Sequence, residues 1–348
     1  MATPTLRALR LVVGEPGHLF GVLRPHLFDV LAGTTWLDEL WPYDPRASDP
    51  AQRGLGIARR LRAARVDATV LLTNTLDSAW ISLLGRARER IGYVRNRRGP
   101  LLTRRLHPPS AGGRRIPVSA VDSYLALVPL VPRSGDVERD AGLQSALHDV
   151  QIELGTTDAD ERACDDAWRM LDLEPGEPVV ACNSSGAFGA AKLWPDESFA
   201  ALTRRIATRF DHAVVILCGP DERARAARIA DLARHPRVKS LAELEPSIGL
   251  TKACVRRSRL VVTTDSGPRH FAAAFRVPAI ALYGPTDPAW SDNHSPHEEG
   301  IRLELECMPC QARVCPLEHH RCMRELPVDL VEQAVGRALA GANRRLAI

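Results

Sequence analysis

At 348 residues the chain is long enough for two domains, and its 45% hydrophobic content can fill two cores. A formal net charge of +4 is too mild to imply a nucleic-acid partner, and without a run of about 18 apolar residues no membrane span is expected. The N-terminus lacks a basic, apolar, small-residue leader pattern, so the expected place is the cytoplasm, at most touching a membrane face.

In the first half, His18 to Leu23 reads as a short strand and Ala51 to Ala64 as an Arg-rich helix. Ala68 to Thr73 reads as a buried strand from its β-branched content. Asn74 or Thr75 is placed to cap a helix from Asp77 to Leu84, and Ile91 to Tyr93 is a further strand. Residues 95 to 117, rich in Arg, Pro and Gly, read as a long loop, and Val118 to Leu130 as an amphipathic helix. Ten arginines crowd this stretch: Arg86, Arg88, Arg90, Arg95, Arg97, Arg98, Arg104, Arg105, Arg114 and Arg115. They make either a solvated loop or a surface for an anionic acceptor or lipid headgroups. A nucleic-acid surface would interleave stacking aromatics with the arginines, and only Tyr93 lies among them.

Residues 131 to 157 show no periodicity and are expected to carry the interdomain linker. Thr157 to Leu173 is a helix with Asp158 and Asp160 in its first turn and Pro175-Gly176 beyond its end. Strand and helix then alternate: strands Pro178 to Cys182, Ala213 to Leu217, Val238 to Ser240, Leu260 to Thr264 and Ala279 to Tyr283. Between them come helices Asp196 to Phe210, one from near Asp221, Ile248 to Ser258, and one after Asp265-Ser266-Gly267. This is the pattern of a parallel sheet covered on both faces, with ligands at the carboxyl ends of the strands. Three such ends carry Gly or Ser: Ser184-Ser185-Gly186, Gly219-Pro220 and Ser266-Gly267. At the last, a tight strand-to-helix turn points free backbone N–H groups at one spot, and the helix dipole adds about half a positive charge. Gly267 allows close approach and His270 adds a donor, which suits a diphosphate.

Of eight cysteines, Cys164, Cys182, Cys218 and Cys254 stand singly in helix- or strand-like segments and are expected as small buried hydrophobes. Cys307, Cys310, Cys315 and Cys322 form a compact set with His319 and His320 between. Their spacing would let four thiolates reach one zinc ion at about 2.3 Å, and a loop of free or buried thiols is the alternative.

Three motifs in order resemble glycosyltransferase family 9, the ADP-heptose:lipopolysaccharide heptosyltransferases, most of all their heptosyltransferase II branch. Residues Asn183 to Pro195, ending Lys192-Leu193-Trp194-Pro195, are similar to a glycine-rich segment closing in Lys-x-Trp-Pro. Thr264 to His270 is similar to an Asp-Ser/Thr-Gly-x-x-His segment, and Tyr283 to Pro288 to a Gly-Pro-Thr-x-Pro loop. Met1 to Arg10 is also similar to a helix near that family's N-terminus.

The resemblance implies a GT-B fold, two Rossmann-like domains facing across a cleft. Residues 1–150 would be the acceptor-side domain and 151–327 the nucleotide-sugar donor domain. Residues 328–348 would form a C-terminal helix crossing back to the first. It implies inverting transfer of heptose from ADP-heptose to the anionic lipopolysaccharide inner core, in the cytoplasm, with peripheral contact at the cytoplasmic face of the inner membrane. Lys192 would stabilise charge on the departing ADP, and Asp265, Ser266, Gly267 and His270 would form the diphosphate cradle. Ser184 and Ser185, in place of the Pro-Gly often found there, would line the same pocket, and Glu222 would accept from the ribose hydroxyls. Each has a plainer alternative: Lys192 a solvated loop residue, Asp265 a helix cap, Glu222 a dipole partner. No cofactor is required on this reading. Cysteines recur near 307–322 in relatives, so zinc there would be a structural clip.

One departure stands out. The family's first domain opens with a strand and a Gly-Asp loop whose Asp is the base, and this chain begins inside the helix that normally follows. Asp77 is the weak substitute. The expectation is that Met1 is an internal methionine and that upstream in-frame DNA encodes the strand, which a doubly wound sheet places centrally. The alternative function is a GT-B relative that binds a nucleotide-sugar but is catalytically impaired for want of that base.

Overall fold

The computed structural model describes residues 1–132, 137–174, 176–184, 186 and 189–346. These divide into two units, 1–152 with 289–292, and 153–288 with 293–348.

The first unit begins with α1 (Thr3–Val13), where Pro4 occupies a first-turn position that needs no N–H. Strand β1 (Phe20–Leu23), α2 (Phe28–Leu31) and β2 (Glu39–Pro42) follow, and β1 pairs with β2 in parallel. Next come α3 (Gly54–Ala63), β3 (Ala68–Leu71), α4 (Leu76–Leu84), β4 (Glu89–Tyr93) and β5 (Arg104–Leu106). The last three strands form a separate parallel sheet in the order β3-β4-β5. Among the described residues no strand hydrogen-bonds both β1 and β3. A short hairpin, β6 (Ser110–Ala111) with β7 (Arg114–Arg115), precedes α5 (Ala120–Leu125) and α6 (Val137–His148). Helix α1 packs on α5 and α6. A small core joins Trp41, Ile57 and Leu61, and Phe20 stacks on Trp41 with ring centres 4.5 Å apart.

Several expectations change here. Strand β3 is half-buried rather than buried, because it pairs only with β4. Thr75, not Asn74, caps α4 by accepting from the Ser78 N–H at 3.3 Å. The long loop contains β5, which adds to the edge of β4, and a hairpin turned by Gly112 and Gly113 at φ +56° and +75°. The helix expected through Leu130 stops at Leu125, and Pro129 sits in a separate short turn, Val128–Leu130. A proline there would remove the bond to the Leu125 carbonyl and crowd it. The stretch read as linker contains α6, whose low amphipathicity left no period to see.

In the second unit α7 (Asp158–Met170) starts at a capping box, Thr157 and Asp160 each bonding the other's backbone N–H at 3.2 and 2.9 Å. Then come β8 (Val179–Asn183), α8 (Asp196–Arg209), β9 (Ala213–Leu217), α9 (Arg223–Ala233), β10 (Val238–Ser240) and α10 (Ile248–Arg257). They are followed by β11 (Leu260–Thr264), α11 (Gly267–Ala274), β12 (Ala279–Leu282), β13 (Glu298–Ile301), α12 (Arg321–Arg324) and α13 (Val328–Leu346). All six strands are parallel in the order β10-β9-β8-β11-β12-β13, so the unit's first strand is central and the order is that of a Rossmann sheet. Every residue of β8, β9, β11 and β12 is buried, as their Val, Ile, Leu and Ala content requires of strands covered on both faces. Cys164, Cys182, Cys218 and Cys254 are all buried, and burial pushes the Cys182 thiol up to about 12. Strand β13 and helix α12 had no legible signal. Helix α13 belongs with this unit, packed on α8, β11 and β12, where Glu332 receives Arg205 at 2.8 Å. No described helix is long and apolar enough to cross a membrane.

Candidate functional site

Strands β8, β11 and β12 are neighbours, so the loops leaving their carboxyl ends meet. After β8 the chain reaches Gly189, where an added Cβ would lie 2.3 Å from the Arg313 carbonyl oxygen, so only glycine passes. A short turn, Ala190–Lys192, then carries Lys192 to the end of β11. There its Nζ donates to the Asp265 carboxylate at 2.6 Å and to the Asp265 carbonyl at 2.9 Å. Thr286, leaving β12, donates its hydroxyl to the same carboxylate oxygen at 2.8 Å, and Arg269 reaches the other at 3.3 Å. All four residues are buried. Burial alone would raise the Asp265 pKa, but Lys192, Thr286 and Arg269 outweigh it and hold the carboxyl below its ordinary range.

Asp265 therefore does not cap α11. The N-cap is Ser266, which makes no capping bond. Its hydroxyl turns back to the strand ends, receiving Asn183 Nδ2 at 2.8 Å and lying 3.1 Å from Thr263 Oγ1. The N-terminal N–H groups of α11 are thus left without a side-chain cap, although Pro268 supplies none of its own. Space in front of Gly267 is open, since a Cβ built there meets nothing within 4 Å. The His270 ring nitrogen Nδ1 is buried with no hydrogen-bond partner among the described residues. Burial, then Arg269, depresses its pKa well below the ordinary value, so the imidazole is neutral at physiological pH. A cation, a helix start without a side-chain cap and open space at Gly267 form a corner that can accept an anion.

Behind it lies a layer the sequence did not reveal. Arg269 forks onto Glu298, Nη2 to Oε1 at 2.6 Å and Nε to both oxygens at 3.1 Å. Glu298 also accepts Tyr283 Oη at 3.0 Å and Asn293 Nδ2 at 2.8 Å. Burial disfavours the guanidinium charge, yet Glu298, Tyr283 and Asp265 raise the Arg269 pKa overall, and burial pushes the Tyr283 phenol up. Thr286 and Arg269 were visible inside the motifs, but nothing in the sequence ties Arg269 to Glu298, because β13 brings them together only in the folded sheet.

The remaining expected residues fall out as follows. Ser184 is buried, and its carbonyl accepts Arg225 Nη1 at 2.8 Å. Ser185 lies outside the described residues. Glu222 accepts the Gly219 N–H at 3.1 Å, a bond within its own turn. Asp77 is exposed in the first turn of α4, in the first unit. Arg98, counted among the surface arginines, is fully buried, donating to Tyr93 O and Asn74 Oδ1, each at 2.9 Å.

The four clustered cysteines are neighbours: burial, then Cys310, Cys307 and Cys315, raise the Cys322 pKa. Yet among the described residues no three His, Cys, Asp or Glu side chains are gathered so as to hold a metal ion. Spacing permits a zinc site. The segment straps the site. Gln311 N donates to Pro285 O at 2.8 Å, Ala191 N to Arg313 O at 3.1 Å, and Trp194 Nε1 to Leu326 O at 3.1 Å. Met323 and Cys322 crowd Gly284, where a Cβ would stand 2.6 and 3.4 Å from their sulfurs. Residues 311 to 326 thus brace both the Lys192 turn and the Thr286 loop.

The model of glycosyltransferase family 9 (heptosyltransferase) matches residues 55–321. Lipooligosaccharide heptosyltransferase 2 of Campylobacter jejuni is 30% identical over 174 residues, 47% of this chain and 52% of that protein. The chain thus spans about half the length of the curated relatives it matches first. The structure of E. coli ADP-heptose LPS heptosyltransferase II has a TM-score of 0.75 at 19% identity, covering 99% of this chain and 96% of that one. E. coli heptosyltransferase WaaC with ADP has a TM-score of 0.66 at 18% identity, covering 97% and 96%. These likenesses show the fold, which is that of the GT-B transferases.

Proposed function

The chain belongs to glycosyltransferase family 9, and from that premise we propose that it is an inverting transferase moving heptose from ADP-heptose to the lipopolysaccharide inner core. The observation that carries the reading is Lys192, drawn by Asp265 to within 2.6 Å beside the open, uncapped start of α11. The second unit takes the donor and the first takes the anionic acceptor, at the cytoplasmic face of the inner membrane. The curated relatives are named as lipooligosaccharide or lipopolysaccharide heptosyltransferases, and the solved WaaC relative holds ADP.

The diphosphate rests against the N-terminal N–H groups of α11, with Gly267 admitting it and Lys192 shared between it and Asp265. An acceptor hydroxyl attacks the anomeric carbon from the side opposite the diphosphate and loses its proton to a base. The bond from that carbon to the phosphate oxygen breaks, and its electron pair leaves with ADP. Lys192 and the α11 amides stabilise the charge gathering there, an effect that grows in the transition state. Neutral His270, in the first turns of the same helix, has a ring nitrogen without a partner among the described residues. Asp265 serves by holding Lys192 rather than by touching phosphate, since like charges would repel.

No step needs a metal. A structural zinc on Cys307, Cys310, Cys315 and Cys322 rests on spacing alone. Metal content after purification without chelator tests it, about one equivalent supporting the clip and less than about a tenth ending it.

Calorimetric titration with ADP-, UDP- and GDP-sugars tests the main reading. The ADP-sugar is expected to bind best, and Lys192→Ala to weaken it by about 10- to 100-fold, the worth of one charge-assisted contact. Equal binding of the three nucleotides, or indifference to the Lys192 change, would overturn it.

A further inference from the structure

Residues 78–121 carry ten arginines and one acid, Glu89. The fold spends part of that charge internally. Arg98 is buried, Arg90 donates to the Leu101 and Ala87 carbonyls at 2.6 and 2.7 Å, and Arg104 pairs with Glu89 at 3.0 Å. Arg86, Arg88, Arg97, Arg105, Arg114 and Arg115 remain exposed, an excess of positive charge without acids nearby in sequence.

The outermost part is the β6–β7 hairpin. Residues 109 to 117 are all exposed, and the hairpin base is closed by Ile116 N donating to Pro109 O at 3.1 Å. Two large apolar side chains share this surface. Ile116 is 44% exposed, and Trp290, which groups with the first unit, is 37% exposed. The Arg115 guanidinium stands 6.0 Å from the Trp290 ring centre, so the ring and the hairpin share one face. Arg95 adds another guanidinium, whose charge is disfavoured by burial and then by Arg115. Arginines held together against their repulsion, beside an exposed Trp and Ile, are what a phosphate-bearing lipid interface accommodates: guanidinium at the phosphates, indole and isoleucine at the headgroup boundary.

We propose that the β6–β7 hairpin, with Arg114, Arg115, Ile116 and Trp290, is the surface by which this protein docks on an anionic bilayer. The choice of a membrane rests on the reading above, in which the acceptor is a lipid-anchored glycan. Docking there is separate from acceptor recognition, since it needs only lipid phosphate and an apolar boundary.

The test is co-sedimentation of the full chain with vesicles of phosphatidylcholine alone and with added phosphatidylglycerol. Binding is expected only with the anionic lipid, and weakens with salt. Each interfacial basic residue is worth about fivefold in partitioning, so the Arg114→Ser, Arg115→Ser double variant is expected to bind roughly 25-fold more weakly. Ile116→Ser with Trp290→Ser also weakens binding, in a salt-independent way, whereas Arg86→Ser with Arg88→Ser changes it less. These exposed changes are expected to leave ADP affinity and transfer to a water-soluble acceptor intact. Equal binding to neutral vesicles, or wild-type binding by the hairpin double variant, overturns the proposal. Vesicle binding with no affinity for ADP-sugar would sink the transferase reading and leave the docking surface standing. ADP-sugar binding with no vesicle binding does the reverse.

Discussion

Replacing Asp265 by Asn is the sharpest probe of the site. The amide keeps the shape and can still bond Thr286, and Arg269 keeps its fork onto Glu298. Lys192 loses the carboxylate it donates to. It is a buried cation whose acidic partner stands 2.6 Å away, with side chains 10% and 7% exposed. Breaking a buried pair by neutralising one member costs about 3–5 kcal/mol, and the retained carbonyl contact at 2.9 Å places this case near 3. For a unit of this size that lowers the melting temperature by roughly 6–12 °C. ADP should then act differently on the two proteins. In the wild type the diphosphate must share Lys192 with Asp265, whereas in the variant it supplies the missing anion. Scanning calorimetry with and without saturating ADP is therefore expected to show a larger ADP-induced rise in Asp265→Asn than in wild type. Acid should erase the difference. The folded pKa of Asp265 is depressed, so its contribution is present above the unfolded value of about 3.9 and is lost as pH falls through the folded one. The gap between the two proteins is expected to close below about pH 4. A variant as stable as wild type at pH 7, or one whose ADP response is smaller, refutes the claim that Asp265 works by holding Lys192.

Three further outcomes follow from the same geometry. Gly189→Ala drives a methyl to 2.3 Å from the Arg313 carbonyl and should loosen the strap on the Lys192 turn, costing about 1–3 kcal/mol and at least tenfold in ADP affinity, read by calorimetry. The depressed His270 pKa means the unfolded chain takes up a proton first as pH drops through about 6.5, so wild type loses stability below that pH. His270→Asn is expected to flatten that limb of the melting-temperature curve, and an unchanged limb would place the titration elsewhere. Arg98→Met removes a buried guanidinium that ties the Tyr93 carbonyl to the Asn74 side chain. It should destabilise the first unit by about 3 kcal/mol in urea titration while leaving ADP binding to the second untouched.

The sheet of the second unit was written in its sequence because its strands are continuous apolar runs, Ala213 to Leu217 and Leu260 to Thr264 among them, each cut off by Gly, Ser or Asp. The turn from β11 into α11 was legible for the same local reason: a tight turn into a helix is a matter of adjacent residues. Lys192 and His270 could be named from their motifs, and in the folded chain Lys192 adds to the depression of the His270 pKa. What the sequence could not carry was everything set by partners distant along the chain. Asp265 is a clamp rather than a cap because Lys192 and Thr286 arrive from 73 and 21 residues away. Glu298 steadies Arg269 because β13 aligns beside β12, and the cysteine segment became a strap because its backbone met two loops. In the first unit, weak periods hid α6, β5 and the hairpin, and only tertiary pairing decided that Arg98 points inward while Arg114 and Arg115 stay in water. Local pattern fixes which backbone a segment prefers. Which charges meet, and which are left facing outward, is settled by burial and distance in the folded chain, where an unpaired charge is too costly to leave to chance.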